Sequence, residues 1–352
     1  MAKKKDDDKQ DSVTKALMDA MGSDLQSLDS SDALCHVDFS VSSRSMVIDK
    51  ILAGGRPMPC SMIPFGRQVE VSGLNGSGKT TLCAQIAAET QMMGGIVVVV
   101  DTEERMDIPY WQSLGVDVSK VLKIKANTIE EVFNQQYKFI KAFAKQKTNK
   151  PMLMIWDSVG GTSSGDIMDG KGEFMENAKK MMGREAKLVG IGVTGLNPLI
   201  AANNICYLYT NHVYCKLNVS FGDPWTEPKG EKLKFQATVR LRLTKIGEIT
   251  EEDSNGNKSS VGQYVRVKAN KNSMAPQRMT KDAVLIGGLG FCDDYTVFDI
   301  GQKSGIIKKS GSWSTVTLGG EEIKFQGWNG FQLKVIMHPE YDSLLEQVKE
   351  VL

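Results

Sequence analysis

The sequence predicts an α/β fold: a mainly parallel, twisted sheet wrapped by helices, preceded by an N-terminal helical arm and followed by a small α+β C-terminal domain. Three observations carry this. Gly73-Leu74-Asn75-Gly76-Ser77-Gly78-Lys79-Thr80-Thr81 fits the G-x-x-x-x-G-K-[ST] phosphate-binding loop, and it sits between an alternating apolar run at 68–72 and a helical run at 82–88. Three further apolar runs, 97–101, 152–158 and 205–212, end in polar residues, as buried parallel strands do. Helical segments such as 128–145 separate them, the alternation that crossover connections produce.

Each part follows in order. Residues 1–10 are dense in charge and poor in apolar side chains, which predicts a disordered leader. They lack the apolar stretch of a signal peptide, and no run reaches the roughly eighteen apolar residues of a spanning helix. The expected location is therefore the cytoplasm, with no membrane partner. Val13, Ala16, Leu17, Ala20, Met21, Leu25 and Leu28 recur at helical spacing, describing one amphipathic helix over 12–28 that needs a surface, on its own domain or on a neighbouring subunit. A chain of 352 residues with 41% hydrophobic content can bury one large core with appendages. Its net charge of +1 gives no global attraction for anions, so any nucleic-acid site is a local patch. The six cysteines form no C-x-x-C pair and mostly lie in apolar runs, reading as small buried hydrophobes rather than disulfides or zinc ligands.

The chemistry gathers at strand ends, where open α/β sheets bind ligands. Glycines let the loop's N–H groups face a phosphate, and the following helix adds its positive end. Lys79 would place charge on the β- and γ-phosphates, and Thr80 a hydroxyl on Mg²⁺. Asp157 closes its strand where a Mg²⁺-orienting acid belongs. Asp101, Glu103 and Glu104 are rivals for polarising an attacking water, and spacing does not choose among them. His212 ends a strand after Asn211; it can contact a γ-phosphate and report it to the adjoining loop, or serve the structure alone. Residues 214–232 combine glycine, proline, lysine and the aromatics Phe221 and Trp225 without periodicity. Lys216 and Lys229 suit phosphates there, and Leu217 and Phe221 suit wedging against bases, although the same composition fits a solvated loop. Strands are expected at 234–243 and 263–269 with a polar hairpin at 251–258, then a small α+β module from about 284, closing in a helix at 339–352. There is no internal repeat.

Several segments, taken in order, resemble the RecA family of ATP-dependent homologous-recombination proteins: Asp49-Lys50-Ile51-Leu52-Ala53-Gly54-Gly55-Arg56-Pro57, Val100-Asp101-Thr102-Glu103 followed by Tyr110, Leu114-Gly115-Val116-Asp117, Trp156-Asp157-Ser158, Thr210-Asn211-His212 and Phe221-Gly222-Asp223-Pro224. The tail from Gly301 to Trp313 is similar to the bacterial family's small C-terminal domain. The resemblance runs from about residue 48 to the end. It implies that Glu103 activates the water, that Tyr110 stacks on adenine, and that His212, a glutamine in bacterial members and a histidine in phage recombinases of the UvsX type, senses the γ-phosphate. This histidine and the unusual stretch 160–187 point to a phage-type or divergent member. The implied DNA loops are 167–175 and 213–230, with Met175, Lys180 and Lys187 beside the first. Lys271 matches one lysine that reaches a neighbour's ATP in the family's filament; Ser273 replaces the other, with Arg278 or Lys281 as substitutes.

By that resemblance, residues 11–47 are the polymerisation arm, 48–283 the ATPase and DNA-binding core, and 284–352 the small domain. The implied function is a DNA-dependent ATPase that uses ATP and Mg²⁺, forms a helical filament on single-stranded DNA, and exchanges strands with a homologous duplex. Single-strand-binding and loader proteins are implied partners, in the host cytoplasm if the chain is phage-encoded. A hexameric replicative helicase shares the loop and the acids, but the C-terminal module and the Phe221-Gly222-Asp223-Pro224 segment argue against it. A non-catalytic recombination mediator would not need Lys79, Thr80, Glu103 and Asp157 intact.

Overall fold

The computed structural model describes residues 13–22, 37–54, 62–165, 183–216, 224–252, 258–275 and 279–352. The leader, Arg278, the whole of the implied first DNA loop and part of the second lie outside these. Residues 1–38 form one compact unit and 39–352 another. In the first, helix α1 spans 13–21, and Val13, Leu17, Met18 and Met21 are exposed. Val13, Leu17 and Met21 belong to the apolar stripe read from the sequence over 12–28; Met18 lies outside it.

In the second unit β1 (Ser40–Val41) pairs antiparallel with β2 (Ile63–Pro64). Between them α2 (Met46–Ala53) starts where the Ser45 side chain accepts from the Ile48 amide, and it stops at Gly54, whose φ of 54° places it in the left-handed region. Then come β3 (Gln68–Gly73), α3 (Lys79–Met92), β4 (Ile96–Asp101), α4 (Ile108–Ser113), β5 (Val121–Lys123), α5 (Ile129–Ala144), β6 (Met152–Asp157), α6 (Arg184–Ala202) and β7 (Ile205–Asn211). A short hairpin, β8 (Tyr214–Cys215) and β9 (Trp225–Thr226), leads to α7 (Glu231–Gln236), β10 (Val239–Glu252), β11 (Lys258–Asn272), β12 (Thr280–Ile286) and β13 (Gly290–Phe291).

Among the described residues nine strands make one sheet in the order β13-β12-β11-β10-β3-β7-β6-β4-β5. From β10 to β5 every pairing is parallel; β10 to β13 pair antiparallel. Alternation explains why the parallel strands read as unbroken apolar runs. Val97, Val99, Leu153 and Ile155 enter one core with α3, and Val98, Val100, Met152, Met154 and Trp156 enter another with α5 and α6. Both faces are covered, so 97–101 of β4 and 152–156 of β6 are buried at every position. No helix among the described residues is long and apolar enough to cross a membrane.

Three expectations change. Residues 234–236, expected in a strand, end α7, because Leu233 alone is buried on that segment while Phe235 stays 72% exposed. The two antiparallel strands run longer than the alternation showed, since their outer ends, at 258–260 for instance, are solvent-facing and carry no apolar pattern. Residues 284–286 and 290–291, expected in the small module, lie in β12 and β13 of the large sheet, joined by a turn at 287–289. After them α8 (Asp293–Ser304), a three-stranded sheet of β14 (Lys308–Ser310), β15 (Trp313–Leu318) and β16 (Glu321–Gln326), α9 (Gly327–Phe331) and α10 (Tyr341–Val351) gather round a cluster of Tyr295, Phe298, Phe325, Trp328 and Phe331.

Candidate active site

The site grows from the turn between β3 and α3. Gly76 and Gly78 take φ of 72° and 94°, which side chains resist. A Cβ on Gly73 would come within 2.4 Å of the Leu243 carbonyl oxygen, so the loop lies tight on its neighbouring strand. Ser77 Oγ is buried without a hydrogen-bond partner. Lys79 opens α3 and is 8% exposed; its Nζ donates to the carbonyls of Gly73 and Leu74, both at 3.0 Å. Burial pulls its ammonium below the ordinary lysine value, while Asp157 and Glu103 oppose that shift. A buried ammonium on two backbone carbonyls at the start of a helix fits an anionic phosphate.

Parallel pairing brings the other strand ends over this loop. Asp157 accepts from Thr80 Oγ1 at 2.9 Å and from Thr210 Oγ1. Burial raises its carboxyl; the Thr210 and Thr80 hydrogen bonds pull it back, and Glu103 adds to the rise. A hydroxyl and a half-buried carboxylate in contact fit Mg²⁺ held jointly with phosphate oxygens. Among the described residues there is no group of three or more His, Cys, Asp or Glu that could hold a metal ion.

Among the three rival acids, Asp101 accepts from the Met106 amide at 3.3 Å and faces Lys123 Nζ at 3.3 Å, and Glu104 is exposed. Glu103 lines the cavity, as Asp101 does. Its Oε1 accepts from Ser158 Oγ and lies 2.8 Å from His212 Nε2, and Arg105 stands 3.7 Å from Oε2. Burial would raise its carboxyl, but Ser158, His212 and Arg105 hold it below the ordinary range. The approach requires small neighbours: a Cβ on Gly161 would meet Glu103 Oε1 at 3.0 Å, and one on Gly160 would meet Asn211 Oδ1 at 2.9 Å.

Asn75, Gly76, Gly78, Lys79, Thr80, Thr81, Glu103, Asp157 and His212 thus line one cavity of about 360 Å³, within the usual range for ligand sites. Tyr110 adjoins it, its hydroxyl 2.8 Å from Thr81 Oγ1. Met106, Trp111, Gln263 and Leu285 also line it, and sequence reasoning missed them. Gln263 Nε2 donates to the Gly76 carbonyl at 2.7 Å across 187 positions of chain, and no local pattern announces such a contact.

Other residues lie apart. Lys271 is not in the lining; its Nζ donates to the Phe235 carbonyl at 2.7 Å, and burial lowers its ammonium, with Arg240 adding to the effect. Ser273 donates its amide to Thr238, and Lys281 Nζ donates to the Leu352 carbonyl. Lys187 and Lys216 are exposed. The Lys229 side chain is 9% exposed and bound to Glu185. Met175, Lys180, Leu217 and Phe221 lie outside the described residues. Cys83, Cys206 and Cys292 are buried as expected, and Cys215 is exposed.

Comparison with known proteins supplies independent information. The family model for the RecA N-terminal domain matches residues 21–292. Protein RecA of Geobacter sulfurreducens is 31% identical over 284 residues, covering 81% of this chain and 78% of the relative. Protein RecA of Aquifex pyrophilus is 30% identical over 290 residues (82% and 78%), and that of Methylococcus capsulatus 30% over 287 residues (82% and 77%).

Proposed function

The chain belongs to the RecA family of DNA-dependent ATPases, and from that premise we propose that it binds ATP with Mg²⁺ in the cavity above α3, polymerises on single-stranded DNA and exchanges strands with a homologous duplex. One observation supports this reading most directly: Glu103 and His212 meet at 2.8 Å above the phosphate loop, and His212 leads within two residues into the β8–β9 hairpin, where the DNA-facing segment is expected.

The magnesium-bound nucleotide supplies a phosphoanhydride bond and a γ-phosphate whose presence distinguishes two states. Lys79, now on two backbone carbonyls, exchanges them for phosphate oxygens. Thr80 and Asp157 would hold the cation. Glu103, kept ionised by its neighbours, accepts the proton of the attacking water. His212 hydrogen-bonds the γ-phosphate and, in doing so, changes its hold on Glu103. Binding then favours the DNA-competent conformation and hydrolysis releases it, a population shift driven by contacts to one phosphate. Tyr110 packs against the base, and Lys271 approaches the nucleotide of a neighbouring subunit. Lys187, Lys216 and Lys229, with Met175, Lys180, Leu217 and Phe221, form the DNA-facing set. The same reading places the protein in the cytoplasm, with single-strand-binding and loader proteins as partners.

Electron microscopy of the protein with single-stranded DNA and a non-hydrolysable ATP analogue tests this. Helical filaments are expected. Closed rings without filaments would overturn it in favour of a hexameric motor.

A further inference from the structure

Beneath the β8–β9 hairpin lies a buried charge network that the ATPase mechanism does not use. Glu227 follows β9 and is 5% exposed. Its Oε1 accepts from Arg242 Nη2 at 3.1 Å and Ser72 Oγ at 3.2 Å; its Oε2 lies 3.0 Å from Arg240 Nη2 and 3.7 Å from Lys234 Nζ. Arg240 also donates through Nε to Glu70, which is fully buried on β3. Glu70 Oε1 in turn accepts from Asn211 Nδ2 at 3.1 Å, and that same nitrogen lies 3.4 Å from the Pro228 carbonyl. Asn211 immediately precedes His212.

The hairpin is therefore held at two roots. Its entering strand continues from Asn211 and His212. Its leaving strand pairs Tyr214 with Thr226 and Cys215 with Trp225, and the next residue is clamped by two guanidiniums on β10. Burial alone would raise the Glu227 carboxyl, but Arg240, Arg242 and Lys234 hold it below the ordinary range, so the clamp is ionic at neutral pH. Ionic pairs screened from water are directional and costly to break.

We propose that Glu227 is a positioning residue: through Arg240, Glu70 and Asn211 it fixes the leaving strand of the hairpin to the strand end that carries His212, so that a movement of His212 displaces both strands together rather than the entering one alone. This rests on His212 as the γ-phosphate contact and on the 213–230 segment as DNA-facing. Without the clamp, the leaving strand lags, and nucleotide state is read less faithfully at the DNA site.

The test is the ratio of single-stranded DNA affinity with and without a non-hydrolysable ATP analogue, measured on the full chain. In Glu227→Gln that ratio should fall at least threefold, while analogue affinity without DNA stays within twofold. Glu227→Asp, which keeps the charge, should restore most of the ratio, which lost stability alone would not predict. A wild-type ratio in Glu227→Gln overturns the inference and leaves the functional reading standing; no tightening in the wild-type chain overturns both. If Glu227→Gln melts too low to assay, Arg242→Gln removes the other half of the same contact. The same fall is expected there, and an unchanged ratio again overturns the inference.

Discussion

At the scale of single residues, the candidate site separates binding from turnover. Lys79→Ala should abolish measurable hydrolysis and weaken nucleotide binding, because the only buried ammonium at the loop among the described residues disappears. Glu103→Gln should keep binding and assembly but slow hydrolysis by about a hundredfold or more, the scale of a lost general base; steady-state ATPase and analogue binding, measured side by side, distinguish the two. The pH dependence follows from Glu103. Its carboxyl lies below the ordinary range, so the base form persists as pH falls, and the rate it supports is lost only when pH passes below that depressed value. Ser158→Ala removes one of the hydrogen bonds that hold it down, so the acid limb of the kcat profile should move to higher pH. The sequence already contained Lys79, Thr80, Asp157 and the three rival acids. Spacing did not choose among those acids and only the resemblance favoured Glu103, because the Met106 amide and Lys123 that engage Asp101 are brought to it only by folding.

Elements carry the stability and the electrostatics of binding. Asp293 opens α8, where its Oδ1 accepts from the Met46 amide at 2.8 Å at the start of α2. Burial, with Asp49 and Asp294 nearby, pushes its carboxyl up to about 7. The folded chain therefore binds a proton that the unfolded chain has released between about pH 4 and 7, and stability falls across that window as pH rises. Asp293→Asn keeps the acceptor and removes the charge. It should raise stability by about 1–2 kcal/mol at pH 8, with the gain vanishing near pH 4, as followed by denaturant unfolding at the two pH values. On the hairpin, Lys216 is exposed beside Pro224, whose carbonyl accepts its amide at 2.8 Å. Lys216→Ala should weaken all single-stranded sequences alike and reduce the slope of log K against log salt by about 0.7, the share of one phosphate contact. The loss for Lys229→Ala should be smaller, because Glu185 already holds that ammonium. Helix α5 falls within a residue of the expected segment 128–145, and the structure adds that the Thr128 side chain accepts from the Glu131 amide at its start. Helix α7 was not, because six residues with one buried side chain leave almost no periodic signal.

For the whole molecule, the question is how one phosphate reaches the DNA site. His212→Ala should leave nucleotide affinity nearly intact, since the loop from Gly73 to Thr81 supplies most phosphate contacts. It should diminish together the tightening of DNA by an ATP analogue and the tightening of the analogue by DNA, because equilibrium coupling is reciprocal. Binding isotherms for each ligand with and without the other measure both. Tightening at the wild-type magnitude would make His212 a structural residue at the end of β7.

By itself the sequence determined the parallel core, the phosphate loop and the acids at the strand ends. Each is written locally, in an apolar run ending in a polar residue, in a helical segment between such runs, or in a nine-residue motif whose glycines and lysine act on their own neighbours. Only the tertiary structure decided that Gln263 and Leu285 close the cavity, that Glu70, Arg240 and Glu227 form one buried network, and that Lys229 turns to Glu185. Those contacts join strands and loops from distant stretches of chain. Whether a charged side chain meets water, phosphate or an opposite charge depends on which strand lies beside it, and strand order is set by crossover topology and the shared burial of both sheet faces, not by the residues on either side.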